Sequence, residues 1–416
     1  MDTTRARVLD STTSEPRKLK LLERVFVKLM SGLRHGSLHI EFPSGATVVV
    51  GDHTPPMTTL RILDTAFFKR VLSGGSVGFG EAYVEGLWTT TDLSELLKLL
   101  ARNQRNVGRL GKGFSLIARQ WNRFHHLARK NTLSQSRKNI QEHYDLSNEF
   151  YDNFLDPTMT YSSAYFESYY ESLEKAQFNK IDRMLNLAGA KAGDSILEIG
   201  TGWGALALRA AQRGCKVTTI TLSDEQFLFA QERFIEEGVA GNIDLRIQDY
   251  RKLEGQFDAV VSCEMIEAVG KEFLPSYFEK IRDCLKPSAK AVIQAITISD
   301  GRYEQYCNSC DWIQKHIFPG GHLPSPMAIE EHVYEAGEML IERMDSFGRD
   351  YAETLRRWAK AFNRNRVKID KLGFDAAFRR KWNYYLSYCE AGFDTDLIDV
   401  QHVVIQKEVS GARVKL

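Results

Sequence analysis

Glu198-Ile-Gly200-Thr-Gly202-Trp-Gly204 sets one carboxylate beside three closely spaced glycines. Without Cβ atoms, such a backbone can turn sharply and approach a ligand closely. The apolar run 195–197 precedes it and the alanine-rich run 205–211 follows, so strand, turn and helix are expected in the arrangement that holds nucleotide-like ligands. An acid ahead of the glycines suits a ligand with cationic groups and hydroxyls. S-adenosylmethionine, with its ammonium and sulfonium, is such a ligand. The spacing also fits a dinucleotide pattern, because Gly200-x-Gly202-x-x-Ala205 is followed roughly 20 residues on by Asp224. A nicotinamide or flavin enzyme stays open on spacing alone. Gly204 comes too early for that fingerprint, and the pattern starts near residue 190 behind an unusual aromatic segment, which tilts the balance towards the sulfonium.

Three further strand ends carry candidate chemistry. Thr221-Leu-Ser223-Asp-Glu-Gln226 offers hydroxyls and an amide for ribose, and Ser223 also reads as a helix N-cap with Gln226 completing a capping box. In Gln248-Asp249-Tyr250, Asp249 suits the adenine amino group and Tyr250 the ring face, although a loop acid can equally be solvated. In Cys263-Glu-Met-Ile-Glu267-Ala-Val-Gly270, Glu264 and Glu267 stand where a reacting group belongs. The alternative is a carboxylate favoured by a helix dipole. Ahead of the first strand, residues 143–166 are dense in Tyr and Phe, whose faces stabilise cations and whose bulk can wall an apolar tunnel.

Elements must hold these residues in place. Strands are expected at 195–199, 216–222, 244–247, 257–263 and 290–296 with helices between them, hence a parallel sheet with crossovers. Segments 339–344 and 400–408 suit a terminal antiparallel pair. Residues 18–101 read as a small α+β unit with a helix at 19–33, strands at 37–42 and 46–50, and helices at 64–72 and 92–100. The stretch 74–86 is too glycine-rich to read as a plain helix. Residues 1–17 are polar and read as a flexible N-terminus. The segment 102–138 holds ten Lys and Arg and no Asp or Glu, interleaved with Phe114, Leu116, Ile117, Trp121, Phe124 and Leu127. That pattern suits an interfacial helix on anionic lipid, with a solvated interdomain linker as the alternative reading. Residues 139–416 are expected to form the ligand-binding domain.

A chain of 416 residues has room for two or three cores, and its net charge of +1 gives no reason to expect nucleic acid as a partner. Of six cysteines only Cys307 and Cys310 are closely spaced, so no metal site is expected. The polar start Met1-Asp-Thr-Thr-Arg5 does not resemble a leader, and no apolar run reaches the ~20 residues of a membrane span. A soluble protein of a reducing compartment, at most attached to a membrane surface, is expected.

The chain resembles the cyclopropane fatty acid synthase family, including the mycolic acid cyclopropane synthases. The resemblance rests on His143-Tyr-Asp-Leu, Tyr161-Ser-Ser-Ala-Tyr165, Leu197-Glu-Ile-Gly-Thr-Gly-Trp-Gly204, Met265-Ile-Glu-Ala-Val-Gly270, Ile317-Phe-Pro-Gly-Gly-His-Leu-Pro-Ser325 and Phe347-Gly-Arg-Asp-Tyr351. The segment 78–88 resembles the amino-terminal domain of the two-domain members. The resemblance implies a Rossmann-like class I methyltransferase domain with a mostly parallel seven-stranded sheet, beside a smaller α+β N-terminal domain. It implies S-adenosylmethionine-dependent methyl or methylene transfer to the double bond of an unsaturated phospholipid acyl chain. A cytoplasmic enzyme at the inner face of the cell membrane, and a homodimer, also follow from it.

By the same resemblance, Tyr161, Ser162, Glu198, Gly200, Gly202, Gly204, Thr221, Ser223, Gln226, Asp249 and Tyr250 contact the cofactor. The family's active site holds a bicarbonate base, whose ligands map to Ser163, Glu267, Gln294, the Ile296 backbone and Tyr351. Cys389 matches a cysteine long assigned to the site, with packing as its alternative role. Three positions depart from the family pattern: Ser163 replaces the usual Cys, Gln294 the usual His, and Ala268 the His that commonly follows the catalytic Glu. Ser and Gln can still bond an anion but supply no cationic charge. The anion site is thereby altered, and with it the ring-closing step: cyclopropane is the default product the resemblance implies, and a methyl- or methylene-branched chain is its serious rival. An NAD-dependent oxidoreductase and a non-catalytic lipid-binding protein are the more remote readings.

Overall fold

The computed structural model describes residues 18–104, 106 and 146–408. The flexible N-terminus expected at 1–17, nearly all of the basic 102–138 segment and His143-Tyr144-Asp145 lie outside them. Two compact units emerge among the described residues, and the chain passes repeatedly from one to the other. One comprises the residues up to 106 with 308–317 and 367–397. The other comprises 146–307, 318–366 and 398–408.

The first unit contains a four-stranded sheet. Its strands are β1 (Ser37–Glu41), β2 (Thr47–Gly51), β3 (Met57–Ile62) and β4 (Trp88–Thr89), in the order β2-β1-β3-β4. The expected β1–β2 hairpin is present, antiparallel from Ser37 opposite Gly51 to Glu41 opposite Thr47. The stretch 74–86 departs from expectation, because a helix runs over Ala66–Val84 with a single break at Gly75 (φ 57°, ψ −133°). Its glycines serve close packing: a Cβ at Gly80 would lie 2.6 Å from the Trp312 ring. Parts of the expected 139–416 domain, residues 308–317 and 367–397, pack within the first unit. The helix Ala376–Asp394 belongs to the first unit, where buried Lys98 pairs with Glu390 at 2.9 Å and Asp394 at 2.6 Å. The Tyr384 ring packs there, tilted, against those of Tyr83 and Trp312.

The second unit is built on a seven-stranded sheet. Its strands are β5 (Ser195–Ile199), β6 (Lys216–Thr221), β7 (Ile243–Ile247), β8 (Phe257–Cys263), β9 (Leu285–Ile298), β10 (Met339–Ser346) and β11 (Ile398–Lys407), in the order β10-β11-β9-β8-β5-β6-β7. β5 pairs in parallel with β6 on one side and β8 on the other. β11 runs antiparallel between β9 and β10, as the terminal pair was expected to. Alternate residues feed two cores, as strands covered on both faces require. Leu197, Val260, Ile293 and Val403 join one core, while Ile196, Val261, Val292 and Val404 join the other. The order reverses between β5 and β8, so their carboxyl ends open a crevice at a topological switch point. Among the described residues, no helix is long and apolar enough to cross a membrane.

Candidate active site

A cavity of about 190 Å³ lies at the ends of β5, β6 and β8. Its lining includes Tyr161, Ser162, Glu198, Gly200, Gly202, Thr221, Gln226 and Tyr250 from the expected cofactor set. Gly200 turns with φ 101°, a conformation strained for any side chain, and a Cβ there would meet Met265 at 3.2 Å. Gly204, Ser223 and Asp249 do not line the cavity. Gly204 caps the following helix in the left-handed region, with φ 88°, against the ring of Phe234. Ser223 caps the helix Asp224–Glu236 by accepting from the Gln226 N–H. The expected capping box does not close, because the Gln226 side chain accepts from the Thr221 hydroxyl at 2.9 Å instead. Asp249 is gripped by the Arg251 guanidinium at 2.8 and 2.6 Å. Burial opposes its ionisation, yet that pairing holds its carboxyl below the usual range.

Glu198 is 3% exposed and accepts from Thr219 Oγ1 at 2.5 Å. Burial pushes its carboxyl up to about 8, against the Thr219 hydrogen bond and the Lys180 charge. A buried acid in that state gains a strong partner when a cation enters. The glycine turn, this acid and the Thr221–Gln226 pair fit the amino-acid and ribose portions of S-adenosylmethionine.

The expected bicarbonate site takes an unexpected form. Its donors converge on a resident carboxylate, Glu264. The Ser163 N–H donates to Glu264 Oε1 at 2.8 Å, Gln294 Nε2 to the same oxygen at 2.7 Å, and the Tyr351 hydroxyl to Oε2 at 2.8 Å. The Ser163 hydroxyl donates to the Ala164 carbonyl. The Ile296 N–H donates to Glu267 Oε1, while Glu267 Oε2 is buried without a partner. Donors already bonded to one carboxylate, with a second acid alongside, do not fit a further anion. Glu264 lines the cavity and Glu267 does not. This placement follows from the backbone, because Glu264 has φ 50°, a strained conformation of the kind found at functional sites.

Burial raises the carboxyl of Glu264, opposed by the charge of Lys180 and by the three donors. Burial and then the Glu264 charge push Glu267 up to about 8. Two adjacent buried acids do not both ionise. Three donors on Glu264 against one on Glu267 favour placing the charge on Glu264.

Behind Gln294 stands His402, fully buried on β11 and directly opposite Gln294 in register. Arg183 Nε donates to His402 Nδ1 at 3.3 Å, and His402 Nε2 lies 2.9 Å from Gln294 Oε1. The imidazole therefore carries its proton on Nε2, and the Gln294 amide turns its NH₂ towards Glu264. Burial, then the Arg183 charge, holds His402 well below the usual histidine range. Lys180 is a second residue that the sequence reading missed. It is 1% exposed, lines the cavity and donates to Ser162 Oγ at 2.7 Å. Its signal was a lysine on the apolar i, i+4 stripe Ala176–Lys180–Met184. Cys389 lies on the helix Ala376–Asp394 of the first unit. Burial, with the Asp311 carboxylate, pushes its thiol far up, the reverse of what activates a nucleophile.

Residues 131–403 match the family model described as mycolic acid cyclopropane synthetase. The chain is 38% identical to tuberculostearic acid methyltransferase of Mycobacterium tuberculosis, over 90% of this chain and 88% of that protein. It is 34% identical to cyclopropane-fatty-acyl-phospholipid synthase of Escherichia coli, over 90% and 94%. Among solved structures it is similar to the cyclopropane synthase MmaA2 from Mycobacterium tuberculosis, with TM-score 0.60, 30% identity, and coverage of 65% of this chain and 98% of that one. The same values hold for mycolic acid cyclopropane synthase CmaA1 complexed with SAH and CTAB.

Proposed function

This chain belongs to the mycolic acid cyclopropane synthetase family, and we propose that it modifies the double bond of an unsaturated phospholipid acyl chain, with a cyclopropane as product. Membership makes it an S-adenosylmethionine-dependent transferase and removes the nicotinamide reading. The observation that carries the proposal is Glu264: a buried carboxyl group, fixed by three donors, set into the cofactor cavity.

When bound, S-adenosylmethionine supplies an electrophilic methyl group. An alkene is a weak nucleophile, so the cavity must hold it close and exclude water. Carbon–carbon bond formation leaves a carbocation on the acyl chain. The Glu264 carboxylate and the face of Tyr161 stabilise that charge. Glu264 then takes a proton, and its three donors hold it in place while it does so. A proton taken from the new methyl closes the cyclopropane. One taken from a neighbouring carbon leaves a methyl-branched alkene. A hydride shift before methyl deprotonation leaves an exomethylene.

A branched product is the second reading. Similarity to a protein named as a tuberculostearic acid methyltransferase favours it, and so does a base tied to the backbone where the family uses a separate ion. The phospholipid substrate is favoured by similarity to a fatty-acyl-phospholipid synthase. Location at the inner face of the cell membrane and homodimerisation belong to the same proposal. The test is mass spectrometry of host lipids after expression with trideuteromethyl methionine. A cyclopropane keeps two deuteriums. A methyl-branched alkene keeps three. An exomethylene keeps two and has the mass of the cyclopropane, from which ozonolysis of its double bond tells it apart. Absence of label from every acyl chain overturns the lipid reading.

A further inference from the structure

Lys180 is a buried ammonium without a counter-ion. It stands on the helix Leu173–Leu187, 1% exposed, with Nζ on Ser162 Oγ at 2.7 Å and Cys263 Sγ at 3.5 Å. Among the described residues no carboxylate lies within ion-pair distance of it. The unit has acids to spare nearby, since its charge is felt by Glu198, Glu264 and Asp156. A charge buried in this way is costly unless a partner arrives. Lys180, Ser162, Cys263 and Glu198 all line the cofactor cavity. The cavity thus presents a buried cation and a buried acid, the complement of an α-amino acid zwitterion.

We propose that Lys180, with the Ser162 hydroxyl it orients, receives the α-carboxylate of the cofactor's methionyl end, while Glu198 receives its ammonium. This rests on the cofactor reading of the cavity. It makes Lys180 a binding residue that recognises the amino-acid end of the ligand, and it separates that role from the carboxylates that act on the acyl chain.

The test measures binding calorimetrically with three probes: S-adenosylhomocysteine, its decarboxylated amine, and methylthioadenosine, which lacks the whole amino-acid end. A hydrogen-bonded ion pair in such a site is worth about 10- to 100-fold in affinity. Lys180→Met should weaken S-adenosylhomocysteine by about that factor and change the other two less than about twofold. Lys180→Arg should recover part of the loss. Unchanged methylthioadenosine affinity also shows that the variant is folded. Equal losses on all three probes would mean that Lys180 only supports the fold, and no loss on S-adenosylhomocysteine would mean that it touches no carboxylate. Either result overturns the proposal while leaving the function standing. A native protein that binds none of the probes overturns both.

Discussion

The chemistry of this site turns on how two neighbouring acids divide one charge. Glu264 has three donors and a view of the cavity, while Glu267 has one donor and an orphaned oxygen. Glu264→Gln is therefore expected to lower turnover by about 10²- to 10⁴-fold, the range of a lost general base. S-adenosylhomocysteine affinity should stay within a few-fold, and removing bicarbonate from the native assay should leave the rate unchanged. The acids also leave a mark on stability. Glu198 and Glu267 rise from 4.5 to about 8 on folding, so the folded state holds protons that the unfolded chain has released. Their contribution is complete below 4.5 and is lost as pH climbs through 8. The urea midpoint of the ligand-free protein should fall across that window, and Glu267→Gln should flatten the decline.

At the scale of elements, the β5 turn and the helix after it are joined by one glycine. A Cβ on Gly204 would lie 2.8 Å from the Phe234 ring, at a φ of 88°. Gly204→Ala should cost about 1–3 kcal/mol, read as a lower urea midpoint, and should weaken cofactor binding because the turn shifts with the helix. The turn itself was readable in the chain, because Glu198 and its glycines are neighbours in sequence and strand, loop and helix follow locally. The parallel strands were readable from apolar runs, since burial on both faces leaves that imprint. The choice between Glu264 and Glu267 was not, because it depends on a left-handed backbone at position 264 that no neighbouring residue announces. Lys180 and His402 were hidden for another reason. One reaches the cavity from a helix ahead of the first strand, and the other meets Gln294 only through the register of β9 with β11. The glycines at 78 and 80 misled, because in this chain they make room for close neighbours inside a helix rather than ending it.

At the scale of the whole molecule, an enzyme acting as proposed must reach a substrate embedded in lipid. The ten basic residues of 102–138, interleaved with aromatic and aliphatic side chains, suit that task. Binding to anionic vesicles should drop steeply between about 50 and 200 mM salt, and replacing Arg119, Arg123, Arg129 and Lys130 by Ala should reduce it further in a sedimentation assay. Salt-insensitive binding would point to apolar insertion instead. The order of the large sheet bears on how the protein is made. β9 and β10 leave the ribosome before β11, which must slide between them. Until it does, β9 carries an unpaired edge and β10 has no partner strand, each a template for foreign pairing. Messages cut short between codons 347 and 397 should therefore yield aggregates rather than a feeble enzyme. Synthesis of this protein passes through a window in which chaperone capture matters most, and that window closes with the strand that brings His402.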